Sequence, residues 1–164
     1  MKIASLTEIK KELHYLSDKE LIALLAEVSK FSSDNKLFLF FKLFGRDNPG
    51  LFTEMVKEEL ATDFQIANTR NYHYAKKSAQ SIRRKLNKYL KFTKVRPIQI
   101  DLIVFFCEML SEYGYLSFRH PVIENLYKLQ LGKIEKIMGQ LHEDHQFDYQ
   151  DKVGELRGHI KLKG

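Results

Sequence analysis

VRPIQIDLIVFFCEMLSEY, residues 95–113, decides between a sheet and a bundle. Its β-branched residues make it the one serious strand candidate in the chain. It runs on too long for a strand, however, shows no sustained apolar–polar alternation, and ends in CEMLSEY. Pro97 suits the first turn of a helix, where a missing N–H costs nothing. The stretch therefore reads as a helix over about 97–114, with 102–110 apolar enough to be among the most buried segments. Cys107 lies inside that run as a small buried hydrophobe. As the only cysteine it can form no internal disulfide.

With this segment helical, the rest of the chain follows. Three prolines and eight glycines in 164 residues leave little turn chemistry for a many-stranded protein. Ser5 with Glu8, and Ser17 with Glu20, fit the capping box and open helices over about 6–15 and 18–31. Ser32 or Ser33 caps NKLFLFFKLF, a third helix that is apolar nearly all round, so 37–44 is expected to be covered on several sides. Gly45 and the DNPG turn (47–50) stop it. A fourth helix (about 51–67) turns Phe52, Val56, Leu60 and Phe64 inward and Glu54, Glu58, Glu59 and Asp63 outward. A fifth, capped by Asn68 or Thr69, spans about 70–93, and a seventh about 121–146. The expectation is an all-α protein of about seven helices in antiparallel hairpins, forming an irregular bundle or a stacked helix-pair array. Residues 1–164 read as a single helical domain, with a polar tail from about 150 that has room for flexibility.

KELHYLSDKELIALLAEVSKFSSDNKLFLFFKLF (11–44) together with LHEDHQFDYQDKVGEL (141–156) resembles a small family of uncharacterised all-helical bacterial proteins. The resemblance extends over most of the chain and rests on composition and helix punctuation. It implies a helical fold and carries no activity, substrate or cofactor.

The apolar runs LFLFF and LIVFFC fall far short of the roughly 20 residues a membrane span needs. MKIASLTEIKKEL is charged throughout, unlike a signal peptide. A soluble, cytoplasmic protein is expected.

Net charge is +6, and its placement matters more than its size. Residues 64–100 hold ten Lys/Arg and no Asp or Glu, while the remainder holds 17 basic and 21 acidic residues, a balance of −4. On a helical wheel, Tyr72, Ala75, Ala79, Ile82, Leu86, Tyr89, Leu90 and Thr93 form one inward stripe. Arg70, His73, Lys76, Lys77, Arg83, Arg84, Lys88 and Lys91 spread over the opposite half. Such a face can be solvated or neutralised by acids from the fourth helix or from HEDHQFDYQD (142–151). It can also dock an acidic protein, or pair with phosphates while Tyr74 stacks on a base. An anionic membrane surface fits less well, because the apolar side is alanine-rich and needed for the core. The candidate partner-binding residues are Arg70, His73, Tyr74, Lys77, Arg84, Lys88 and Lys91. An acidic protein partner is the first expectation and nucleic acid the alternative, since −4 elsewhere offers no second basic surface to enclose a strand.

HEDHQFDYQD is the stretch most like a chemical site. His142 and His145 are three apart, not the four of the zinc-protease motif, and no histidine has a glutamate three residues before it, as di-iron bundles require. His142 and His145 could still share a metal with Asp148 or Asp151, which would make a metal-dependent hydrolase the second alternative. If the seventh helix continues to 146, His145 points along the buried stripe of Ile134 and is half covered, and HEDH forms the helix's C-terminal end. There the acids oppose the dipole, so a cationic neighbour is expected. The reading taken is therefore a polar helix end: no metal, no cofactor and no catalytic residue. Gly132 and Gly139 share the outward face of that helix, where close approach of another helix or chain would explain them, though simple tolerance is the first expectation.

Overall fold

The computed structural model describes residues 1–161. Over them the chain forms eight α-helices and one short 3₁₀ turn, with no strand among the described residues. The chain divides into two compact units, Met1–Leu51 and Phe52–Gly164.

The first unit contains α1 (Leu6–Leu13), α2 (Asp18–Phe31) and α3 (Ser33–Phe44). Both capping boxes form. The Ser5 N–H donates to Glu8 Oε2 at 2.6 Å and the Ser17 N–H to Glu20 Oε2 at 2.7 Å, while each serine Oγ accepts from its glutamate's N–H. The Ser32 Oγ accepts from the Asn35 N–H at 3.0 Å, and the Asn35 side chain reaches back to the Val28 carbonyl, pinning the α2–α3 hairpin. Burial in this unit differs from expectation. Phe41 is the one buried residue of the three helices, and Phe38, Leu43 and Phe44 are exposed. A helix in a hairpin is covered along one side, so an all-round apolar pattern leaves apolar side chains open. Ile22, Leu25, Leu39, Phe40, Leu43 and Phe44 line a groove between α2 and α3.

The second unit contains α4 (Leu51–Ile66), α5 (Tyr72–Leu90), α6 (Arg96–Glu112), the 3₁₀ turn (Tyr115–Phe118), α7 (Pro121–Met138) and α8 (Glu143–Lys161). Its centre is α6, which packs on α5, α7 and α8 and buries Ile100, Leu102, Ile103, Val104, Phe106, Cys107 and Leu110. The deciding stretch is thus helical and central, with Pro97 in its first turn. On α4 the expected Phe52, Val56, Leu60 and Phe64 are buried, and the Phe64 ring meets those of Phe106, Tyr113 and Tyr115, each at 5.7 Å. Gly114, at φ 77°, makes the left-handed step that brings Tyr115 back onto the core, where its hydroxyl pairs with Ser78 Oγ at 2.8 Å.

The seventh helix stops short of its expected end. Gly139 closes α7 by donating to the Glu135 carbonyl at 2.9 Å, and a new helix starts after His142. The His142 carbonyl accepts from the His145 and Gln146 N–H groups at 3.0 Å, and its Nδ1 accepts from the Asp144 N–H at 3.3 Å. HEDH is therefore the start of α8, where Glu143 and Asp144 favour the helix dipole instead of opposing it. The segment from 150 is no loose tail but helical through Lys161, with Val153 and Leu156 buried. Tyr127 Oη donates to the Leu156 carbonyl at 2.7 Å, Lys152 pairs with Glu108 at 2.8 Å, and Arg157 pairs with Glu135.

Burial pushes the Cys107 thiol up to about 12, with neighbouring Glu108 adding to the shift, so the thiolate is scarce at neutral pH. The expected outcome is a thiol that resists modification at pH 8 in the native protein and reacts in full once urea unfolds it; rapid native labelling would contradict the core described here. Ile103→Ala should cost about 2–5 kcal/mol in urea titration, whereas half-exposed Leu39→Ala should cost well under half of that.

Candidate docking face

The fifth helix spans Tyr72–Leu90 within the expected 70–93, and its cap is Asn71 where the sequence suggests Asn68 or Thr69. Asn71 caps α5 by accepting the Tyr74 N–H at 3.1 Å, and Ala75, Ala79, Ile82, Leu86 and Tyr89 face inward with 3% exposure or less. Lys91 is the C-cap of α5, and Gln99 of α6 donates to the Leu90 and Thr93 carbonyls, tying the helix end to the core.

The candidate residues lie on the outer side as expected. Arg70, His73, Tyr74, Lys77, Arg84 and Lys91 are exposed, while Lys88 is half-buried with its ammonium 4.9 Å above the Tyr89 ring. Among the described residues no carboxylate lies within 4.0 Å of the cationic group of Arg70, Lys77, Arg84 or Lys91. Tyr72 is already occupied, its ring stacked on His120 at 3.5 Å, and so is less open than Tyr74.

The two flanks of α5 differ in sign. On the α4 side Lys85 pairs with Asp63 at 2.6 Å and Glu59 at 3.9 Å, and Tyr89 Oη donates to Glu59 at 2.5 Å. Here the fourth helix neutralises α5. The 142–151 acids do not share in this, because no ion pair joins them to α5 among the described residues.

On the α7 side the flank is cationic. Lys133 Nζ donates to Asn87 Oδ1 at 3.1 Å, which sets an α7 lysine against the α5 surface. Partial desolvation, with Arg83 beside it, lowers the pKa of Lys133 from the usual lysine value. Asn87, Lys91, Lys133, Lys136 and Gln140 line a groove of about 500 Å³ between the helices, and Arg96 donates to Gln140 at its end. Lys133 and Lys136 also border a second hollow, about 620 Å³, on the outer face of α7 with Asn125, Lys128, Leu129 and Gly132. Neither lining contains a carboxylate.

The −4 balance outside residues 64–100 concealed this second basic surface, because a sum over sequence averages faces that point apart. Its signal was nonetheless present in LYKLQLGKIEK, where Lys128 and Gly132 fall on one outward face. A Cβ on Gly132 would meet nothing within 4 Å, so no part of the described chain approaches closely there, while Gly139 serves as the helix stop. A mid-helix glycine costs about 1 kcal/mol against alanine.

His142 and His145 are both exposed. The expected half-covering of His145 fails because the break after Met138 resets the helical phase. Together with Asp148 they do not assemble: among the described residues no group of three or more His, Cys, Asp or Glu side chains is arranged to hold a metal ion. Among the described residues no helix is long and apolar enough to cross a membrane.

No family model matches the chain, and neither the curated proteins nor the solved structures contain a match to it.

Removing the α5 cap by Asn71→Ala should cost about 1 kcal/mol, measured by urea denaturation. Exposed His145→Ala should stay within about 0.5 kcal/mol of wild type. A large loss at His145 would mean that α8 begins elsewhere.

Proposed function

We propose that this chain is a non-enzymatic binding or scaffold protein that receives an acidic protein partner on the joined cationic face of α5 and α7. The observation carrying this reading is the Lys133–Asn87 contact, which makes one carboxylate-free strip of Lys91, Lys133 and Lys136. A cationic surface of this kind steers and registers an oppositely charged partner, raising association rate more than intrinsic affinity.

Two features favour protein over nucleic acid. The acids of α4 border the other flank of α5, so a phosphate backbone crossing the helix would meet Glu59 and Asp63. The aromatic supply is also thin, with Tyr74 at 48% exposure while Tyr72 is stacked on His120. The absence of a reactive thiol at Cys107 and the scattered exposed histidines add nothing to an enzymatic reading.

The test is capture from cell lysate at low salt by wild type and by a Lys77→Gln/Arg84→Gln/Lys91→Gln/Lys136→Gln variant. All four residues are exposed, so far-UV circular dichroism and thermal melting should be unchanged. Wild type should retain protein that 0.5 M salt releases, that nuclease leaves in place and that the variant fails to hold. Nuclease-sensitive material would replace this reading with nucleic-acid binding, and identical captures by both forms would remove the face from function.

A further inference from the structure

Resting on that reading, we infer that the segment seated on this face is an acidic amphipathic helix whose apolar edge enters the trough over Gly132. The trough is built along one side of α7. Asn125, Lys128, Leu129, Gly132, Lys133 and Lys136 follow one another at helical spacing over about 16 Å of the helix. Leu129 is 60% exposed, an open leucine in the middle of a charged stripe. Next to it Gly132 has no side chain, and none of the described residues occupies the space where one would stand.

Lysines frame this apolar strip. Lys128 and Lys133, five residues apart, stand about 140° from one another around the helix, one on each side of Leu129 and Gly132. Lys136 follows one turn beyond Gly132. Lys133 uses one of its three ammonium donors on Asn87, which leaves others for a carboxylate. No acid lines the hollow, so its lysines complement a partner's acids and not the chain's own.

Two demands thus fall on the occupant. Its centre must be apolar and narrow enough to lie over Gly132 against Leu129, and its edges must carry carboxylates that reach lysines on both sides. A helix with leucines at i and i+4 and flanking glutamates meets both demands. A phosphodiester or a disordered acidic tail meets only the second, and would leave Leu129 in water.

Three labelled probes of matched charge separate these cases: a 16-residue Glu/Leu amphipathic peptide, polyglutamate and a single-stranded oligonucleotide. Fluorescence anisotropy with the full chain should show the amphipathic peptide binding at least tenfold tighter than either other probe. Its helicity should rise on binding. Gly132→Phe, which fills open space, should weaken the peptide at least tenfold and leave polyglutamate unchanged, with thermal melting reporting that α7 is intact. Lys128→Gln/Lys133→Gln/Lys136→Gln should weaken both acidic probes. Equal binding of all three probes, no detectable peptide binding, or a Gly132→Phe variant that binds as wild type would overturn the trough as a helix seat. Lysate capture with Gly132→Phe keeps the two readings apart. If that variant still captures the partner while the four-site neutralised variant does not, the cationic face stands and the helix seat falls. If neither substitution alters capture, both fall.

Discussion

Enclosing α6 is the constraint on which the larger unit depends. Its apolar residues point in nearly every direction, and a helix of that kind is stable only with cover on several sides. α5, α7 and α8 pack on it, and Phe106 at its middle meets Phe64 of α4. The demand passes outward. α5 approaches with Ala75 and Ala79 buried, and every charge it carries is driven to the opposite half or to its flanks.

That packing also determines what the charges do. Lys85 on one flank meets Asp63 and Glu59, so there α5 is neutral and tied down. Asn87 on the other flank meets Lys133, so there the cationic surface continues onto α7. Partly exposed pairs such as Lys85–Asp63 contribute little to stability, on the order of 1 kcal/mol or less. Their effect is spatial: the acids of α4 neutralise one flank of α5 and leave its outer side and its α7 flank cationic.

The first unit follows a different rule. Its capping boxes and the Ser32 cap form from residues three positions apart and were legible as text, whereas the Asn35–Val28 clamp was not. NKLFLFFKLF was legible as a helix but not as an exposed one. Hydrophobicity states what a segment would gain by burial and does not supply the cover, and α3 has Phe41 alone buried. The α7–α8 junction failed for a similar reason. Gly139 and His142 are individually weak stop and start signals, and a continuous wheel through 121–146 absorbed both, which inverted the meaning of HEDH. Leu156, placed under Tyr127, showed its importance only with both helices in position.

The sequence by itself determined α1 to α7, most of their ends and the inward stripes of α4 and α5, because caps, prolines and 3.6-residue periodicity act within a turn or two; it did not separate α8 from α7. It also placed the cationic half of α5, which is a property of one helix. Tertiary structure alone decided which flank of that helix is neutralised, that α7 adds its lysines to the other, and that the space over Gly132 stays open. Those outcomes depend on residues some 20 to 50 positions apart meeting across packed helices, and no local pattern encodes a distance that only the closed core sets.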